Sequence, residues 1–404
     1  MPIDGLDELR FRQVHLDFHT SEHIEDIGAD FEPGVFVSTL KAAWVNSVTL
    51  FARCHHGWAY YPSALTAPHP HLARPDLLGD MIEACHAQDI ATPIYLPVQW
   101  DELTARMHPE WRVMQAENRA ANYPGTEPSA GNQLTATWHP VCINHPDLVA
   151  RHIRGALEVA ERYAPPALFM DILSSWECCC NACLTSMQAA GLDPLKAEDR
   201  KANDKAVLLN FFQRFQGAIS ERFPAIRLFF NGGHIVKGEV GRYRHYGHLE
   251  LESLPTGGWG YDHFPASARY AAGLHKPYLG MTGRFHTHWG EFGGYKTADA
   301  LIFECCQMVM LGARCSIGDQ LHPRGRIDKA AYDLIRPAYE RVAALEPYAR
   351  GGEYQGEVAL LSVEAQGAGA AAAAAQQRTS MSDMAAARTL LELKIPFDVI
   401  EEDW

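Results

Sequence analysis

Eight short apolar, β-branched runs alternate with amphipathic helical stretches along the first 350 or so residues, and this repetition limits the folds open to the chain. Candidate strands fall at 13–19 (QVHLDFH), 47–53 (SVTLFAR), 92–98 (TPIYLPV) and 167–172 (ALFMDI). Four more fall at 226–231 (IRLFFN), 248–254 (HLELESL), 277–282 (PYLGMT) and 315–319 (CSIGD). Helical patterns lie at 33–44, 76–88, 146–163, 202–222, 265–274, 298–312 and 329–348. Apolar runs this short, set between helices, read as buried parallel strands. Eight such units count out an α/β fold of the (β/α)8 TIM barrel type, whereas a doubly wound sheet would not need eight. A stretch rich in Trp, Pro, Gly and Asn, running to about residue 133, reads as an elaborated loop over one face.

Beyond Gly351 the pattern restarts. A strand at 358–363 (VALLSV) precedes an alanine-rich linker or weak helix at 367–377, a helix at 384–393 and a strand at 397–400 (FDVI). Two strands and one helix are too few for an independent α/β domain. The reading therefore divides the chain into a barrel, 1–350, and the start of a truncated second α/β domain, 351–404.

Composition narrows the function. The chain has 404 residues, 47% hydrophobic and 21% charged, which suits a soluble protein with a sizeable core. A net charge of −14 without any Lys/Arg run argues against nucleic acid and anionic membrane as partners. The first residues hold no apolar signal core, and no stretch reaches the ~20 apolar residues of a membrane span. Ten cysteines without a leader point to reduced thiols and a cytoplasmic setting.

In a barrel the carboxyl ends of the strands meet in one pocket. His15, Asp17 and His19 share a face of the first strand, because strand side chains repeat every two residues. Cys54, His55, His56, Gly57 and Trp58 follow the second strand, and Gln99, Trp100, Asp101 and Glu102 the third. The fourth offers Asp171 and Trp176, and the fifth Asn231 and His234. The sixth gives His248, Glu250 and Glu252, with Trp259 beyond it; the seventh gives Arg284, His286, His288, Trp289 and Glu291. The eighth gives Asp319, Gln320, His322 and Arg324. Any one of these is more often packing than chemistry, and Asp171 alone could simply cap the next turn. Together they suit a sugar, whose apolar face stacks on aromatic planes while polar groups bind its hydroxyls.

Glycoside hydrolysis needs two carboxyl groups. Asp171 is the expected nucleophile. Glu252, nearest the loop end, is the expected acid/base, with Glu250 next and Glu291 and Asp319 as further options. Substrate-binding roles are expected for His15, Asp17, His19, His55, His56, Trp58, Trp100, Asn231, Trp259, Arg284, His286 and Asp319.

These residues resemble a known family. His55-His56, followed by Gly57 and an aromatic, is similar to the His-His-x-Gly-Phe element that binds fucose hydroxyls in retaining α-L-fucosidases of family twenty-nine. Asp171 matches the nucleophile position of those enzymes. The segments HLDFHTSEHI, CHHGWAYYP, LESLPTGGWGYDHFP, GMTGRFHTHWG and CSIGDQLHPRGR resemble the barrel of the related family one hundred and fifty-one, over roughly residues 10–350. The resemblance implies a retaining exo-acting α-L-fucosidase working by double displacement through a glycosyl–aspartate intermediate. It also implies that 357–404 begins a flavodoxin-like domain of the β-galactosidase trimerisation type, hence a homo-oligomer, dimer or trimer. Cys54 departs from the family's usual Lys, and Ile172 from the Gly that follows its nucleophile.

Cys178, Cys180 and Cys183 form C-x-C-x-x-C, similar to the zinc-binding cysteines after the fourth strand in family forty-two β-galactosidases. A closed structural zinc site needs a fourth ligand, which Cys142, Cys54 or His145 could supply; buried thiols without metal are the alternative. No cofactor is expected for the chemistry, and a glycoside or oligosaccharide is the expected partner. Three rivals stand beside this reading. A metal-dependent amidohydrolase would want His-x-His on the first strand, but its spacing is not met and the metal-bridging Lys of the fourth strand is missing. A non-catalytic sugar-binding barrel would keep the pocket alone. A β-galactosidase-like glycosidase would use two glutamates, on the fourth and seventh strands, where this fourth strand ends in Asp171.

Overall fold

The computed structural model describes residues 9–116, 138–351, 354–368 and 380–402. Parts of the Trp/Pro/Gly/Asn-rich stretch and of the alanine-rich linker, 117–137 and 369–379, lie outside the described residues.

Among the described residues eight strands build the main sheet: β1 (Arg12–Asp17), β2 (Ser47–Phe51), β3 (Ile94–Pro97), β4 (Ala167–Asp171), β5 (Arg227–Phe230), β6 (Leu249–Glu252), β7 (Tyr278–Gly283) and β8 (Arg314–Gln320). They form one sheet in the order β5-β4-β3-β2-β1-β8-β7-β6, and every paired neighbour runs parallel. β5 and β6 share no ladder among the described residues; there the Gly247 N–H donates to the Leu228 carbonyl at 2.7 Å. The result is a nearly closed (β/α)8 TIM barrel. Almost every strand residue is buried, as expected where helices cover the outside and side chains fill the inside.

Register decides which side chains enter the barrel. His15 lies opposite Gly318 and Asp17 opposite Gln320, while Leu16 lies opposite Asp319. Partners across parallel strands point to the same side, so Gln13, His15 and Asp17 face inward, whereas Leu16 and Asp319 face the helices. At the amino end of the barrel the Gln13 amide donates to Glu250 Oε2 (3.1 Å) and accepts from Ser47 Oγ (3.1 Å). Glu250 also meets His248 Nε2 at 2.9 Å.

Helix starts follow local chemistry. Asp76, Thr297 and Asp328 accept the backbone N–H of Gly79, Ala300 and Ala330, satisfying donors that a helix start leaves open. Pro33 and Pro146 open their helices with φ already set. Three helices were not foreseen: Glu102–Met107, Asn181–Ala189 and Val240–Tyr243. The helix expected at 202–222 starts earlier, as Ala197–Arg222.

In the C-terminal segment β9 (Val358–Leu361) pairs in parallel with β10 (Phe397–Ile400), and a helix, Met381–Glu392, lies between them in sequence. A two-stranded sheet is marginal alone, and this one leans on the barrel helix His263–Gly273. Arg269 donates to the Phe397 carbonyl (3.1 Å) and pairs with Asp398, and the Tyr270 hydroxyl donates to Glu401 (2.7 Å). Among the described residues no helix is long and apolar enough to cross a membrane.

Candidate active site

Asp171 closes β4 with its carboxylate buried at the carboxyl end of the barrel. The Tyr95 hydroxyl donates to Oδ2 at 2.6 Å and the Asn231 amide to Oδ1 at 2.8 Å. His55 Nε2 stands 3.7 Å from Oδ2. Burial pushes the Asp171 pKa up, and the Tyr95 and Asn231 hydrogen bonds offset only part of that rise. Ile172, the next residue, has φ +59°. The left-handed region is poor for a β-branched residue, so the chain is strained where it leaves this carboxylate, a common property of functional turns.

Three histidines surround it. The His15 ring packs edge-on against Phe51, Tyr95, Phe169 and Trp289, with Nε2 3.7 Å from Asp17. Its Nδ1 is buried without a hydrogen-bond partner among the described residues, so it can take a hydrogen bond from water or a ligand. His19 stacks on His55, with centroids 4.1 Å apart, and lies 3.6 Å from Asp17. Burial disfavours the His19 cation, yet Asp17 and Cys54 outweigh it and its pKa is pushed up to about 10. The His55 N–H donates to His19 Nδ1 at 3.2 Å, however, and a cationic ring would lose that bond. The geometry favours the tautomer with its proton on Nε2, toward Asp17. Burial, then the neighbouring His19 and His56, holds the His55 pKa far down, so its ring stays neutral.

An aromatic wall stands over these rings. Trp100 and Trp138 stack at 6.2 Å, both edge-on to His55, and Trp138 also covers His56 at 4.9 Å. The turn beneath depends on Gly57, at φ +93°, where a Cβ would stand 2.4 Å from Asp101 Oδ1. Trp58 points its N–H at Glu22 (3.5 Å), which pairs with Arg106 (2.8 Å) and approaches His56 (4.0 Å). Burial raises the Glu22 pKa, but the Arg106 pair wins and draws it to about 2.

The two glutamates of β6 part company. Glu250 is buried at the barrel floor with Gln13 and His248. Glu252 sits one layer higher, half-buried, and its Oε1 accepts the Trp289 indole N–H at 2.9 Å. Trp289 lies over Gly318, where a Cβ would meet its ring at 2.1 Å, and within 5.6 Å of His15. A continuous surface thus runs from Asp171 through Tyr95, His15 and Trp289 to Glu252. Beside Asp17 and His19 opens a cavity of about 440 Å³, lined also by Phe292, Gln320 and His322.

Other expected residues lie elsewhere. Arg284 and Asp319 were expected to bind sugar, but they pair with each other at 2.7 Å, fully buried on the helix side of the sheet. Arg284 also donates to the carbonyls of Phe292 and Gly294 (2.9 Å each), so it holds the loop that presents Trp289. His286 is exposed on that loop. Glu291 is turned back onto Thr287 at 2.6 and 2.7 Å. Trp259 packs against His263 with centroids 4.8 Å apart. Sequence reasoning missed Tyr95, Trp138 and Glu22. Tyr95 carried one signal, its place two residues before the end of β3.

Cys142 joins Cys178, Cys180 and Cys183, with all four sulfurs within 4.8 Å of one another and buried. Cys142 and Cys183 stand 3.5 Å apart. A tetrahedron with Zn–S bonds of about 2.3 Å has edges of about 3.8 Å, so the four residues fit a structural zinc ion. Hydrogen bonds from Cys142, Cys178 and Cys183 hold the Cys180 pKa far below that of a free thiol. Cys54, one alternative fourth ligand, instead donates to the Thr20 carbonyl (3.8 Å), and His145 packs on Trp111.

A family model described as hypothetical glycosyl hydrolase 6 matches residues 34–172. No curated protein matches the chain. Among solved structures, α-L-fucosidase isoenzyme 2 from Paenibacillus thiaminolyticus is 45% identical, with a TM-score of 0.89 over 97% of this chain and 58% of that one. This chain therefore spans less than two thirds of that fucosidase. A β-galactosidase from Bacillus circulans sp. alkalophilus shares the fold at 12% identity, with a TM-score of 0.70 over 98% of this chain and 66% of that one. Another, from the psychrophilic Marinomonas ef1, does so at 10% identity and a TM-score of 0.66, over 97% and 70%. By sequence and fold together, the chain belongs to the α-L-fucosidase-like glycoside hydrolases.

Proposed function

We propose that the chain is a retaining exo-α-L-fucosidase with Asp171 as nucleophile and Glu252 as acid/base. One observation carries the reading: a buried carboxylate held by Tyr95 and Asn231 is joined through His15 and Trp289 to a second, more accessible one. Glu252 donates its proton to the leaving oxygen while Asp171 attacks the anomeric carbon, giving a glycosyl–aspartate. Glu252 then takes a proton from water, and the hydroxide displaces Asp171 to release the sugar with retained configuration. Tyr95 and Asn231 favour the ionised form of Asp171 against its burial and fix its orientation. His15, Asp17, His19, His55 and His56 bind hydroxyls, and Trp100 and Trp138 cover the apolar face of the ring.

Fucose is the favoured sugar because the 45% identical relative is an α-L-fucosidase, whereas the β-galactosidases share only the fold. The reading includes a structural zinc ion on Cys142, Cys178, Cys180 and Cys183. It also includes a dimer or trimer in the cytoplasm, in keeping with ten free cysteines. The test is release of 4-nitrophenol from a panel of nitrophenyl glycosides, including α-L-fucoside and β-D-galactoside, beside Asp171→Asn. Hydrolysis of the fucoside, abolished in the variant, supports the proposal. Hydrolysis of the galactoside alone, or an active variant, overturns it.

A further inference from the structure

The seam between β5 and β6 is the weak point of the barrel, since these neighbours share no ladder among the described residues. Asn231, the donor to Asp171, stands on one side of its upper end, and Glu252 on the other. A row of side chains crosses the seam at this level. Ser253 Oγ lies 3.1 Å from His263 Nδ1, His263 Nε2 lies 3.3 Å from His234 Nδ1, and His234 Nε2 lies 2.8 Å from Glu364 Oε1. Glu364 belongs to the C-terminal segment, just after β9, and is completely buried.

The row has one consistent direction when both rings are neutral. An ionised Glu364 can only accept, so His234 carries its proton on Nε2 and offers Nδ1 as an acceptor. His263 then donates from Nε2 and accepts the Ser253 hydroxyl proton on Nδ1. Lys237 secures the far end: its ammonium reaches Glu364 Oε2 at 2.7 Å and its backbone N–H reaches Oε1 at 3.1 Å. Asp383 accepts the Glu364 backbone N–H at 3.3 Å, so the segment's own helix holds the carboxylate in place.

Two members of the row adjoin groups of the proposed site. Ser253 follows Glu252 directly in the chain. His234 lies three residues beyond Asn231, whose Oδ1 accepts the Gly233 N–H at 2.9 Å. We propose that Glu364 is a positioning residue: through His234 and His263 it ties the β5 loop to the end of β6, and so fixes the spacing of Asp171–Asn231 against Glu252. The C-terminal segment thereby completes the site without touching substrate. This proposal rests on the glycosidase reading for its kinetic consequence, but not for the tie itself.

The test compares full-length wild type, Glu364→Gln, Ser253→Ala and Asp398→Asn. Two readouts are taken: turnover of the nitrophenyl glycoside, and imidazole nitrogen resonances after selective 15N-histidine labelling. Glu364→Gln removes a carboxylate that pairs with buried Lys237 and is expected to lower folding yield, whereas Ser253→Ala cuts the opposite end by removing one hydroxyl. Both are expected to shift the His263 resonances, and to lower kcat about tenfold with KM within about twofold, as for a sub-ångström misplacement of reacting groups. Asp398→Asn, which loosens the segment at the contact between buried Arg269 and the more exposed Asp398, is expected to keep both readouts at wild-type values. Unmoved His263 resonances in both Glu364→Gln and Ser253→Ala, or an unchanged kcat, overturn the proposal. So does an equal kcat loss in Asp398→Asn. Wild type without turnover on any glycoside would sink the glycosidase reading, and the tie would then stand or fall on the His263 resonances.

Discussion

Tyr95 and Asp171 are joined across adjacent strands, the Tyr95 hydroxyl donating to Asp171 Oδ2 at 2.6 Å from the inner face of β3. Burial raises the Asp171 pKa, and this bond is the first of the contacts that lower it again. Removing the hydroxyl should therefore raise the pKa further, and a smaller fraction of the enzyme would carry the ionised nucleophile at a given acidic pH. Tyr95→Phe should move the acidic limb of the kcat/KM profile to higher pH and reduce the plateau by about tenfold, the scale of one hydrogen bond to a charge. A profile that stays in place, or moves to lower pH, would remove Tyr95 from control of the nucleophile.

Glu252 and Glu250 can be separated by leaving group. An acid/base matters most when the departing oxygen is strongly basic, and its loss costs roughly 10²–10⁴ in rate. Glu252→Gln should lose turnover on an alkyl glycoside far more than on a nitrophenyl glycoside, whose phenol leaves without help. Glu250→Gln should show no such selectivity, because its carboxylate is spent on Gln13 and His248 at the barrel floor. A leaving-group dependence confined to Glu250→Gln would reverse the assignment.

The strands were readable because a β/α unit writes its period into short apolar runs, and the eight observed strands begin and end within about two residues of expectation. The meeting of Asp171, His55 and Asn231 at one end of the barrel was readable for a related reason: each ends or follows a strand, and the barrel gathers such ends. Arg284 and Asp319 misled because one residue of register turns a strand side chain from the pocket to the helices. The alternation from Gly318 to Gln320 skips Asp319, and only pairing with β1 reveals that. Trp138 and Glu364 owe their placement to contacts between distant segments. No local pattern records those.

The sulfur cluster predicts a metal content. Purified chain should contain about one zinc per polypeptide, lost in Cys183→Ser, with a fall in melting temperature, because a closed four-thiolate site contributes folding energy directly. The cluster joins the segment around Cys142 to the start of the helix Asn181–Ala189. A strong chelator should therefore loosen the β4 loop before the barrel unfolds. Metal-free protein with an unchanged melting temperature would reduce the cluster to four packed thiols.

Arg284 and Asp319 should act on stability before they act on binding. Both are fully buried, 2.7 Å apart, and each is held on the helix side of the sheet. Removing one member leaves the other as an uncompensated buried charge, a loss of about 3–5 kcal/mol. Asp319→Ala should therefore lower the unfolding midpoint in urea sharply. Arg284 keeps its bonds to the Phe292 and Gly294 carbonyls, so the loop that carries Trp289 stays in place over Gly318. Whatever protein remains folded should bind sugar with KM changed by less than about threefold, since neither side chain reaches the pocket. A variant with wild-type stability and a large rise in KM would return Asp319 to the sugar site.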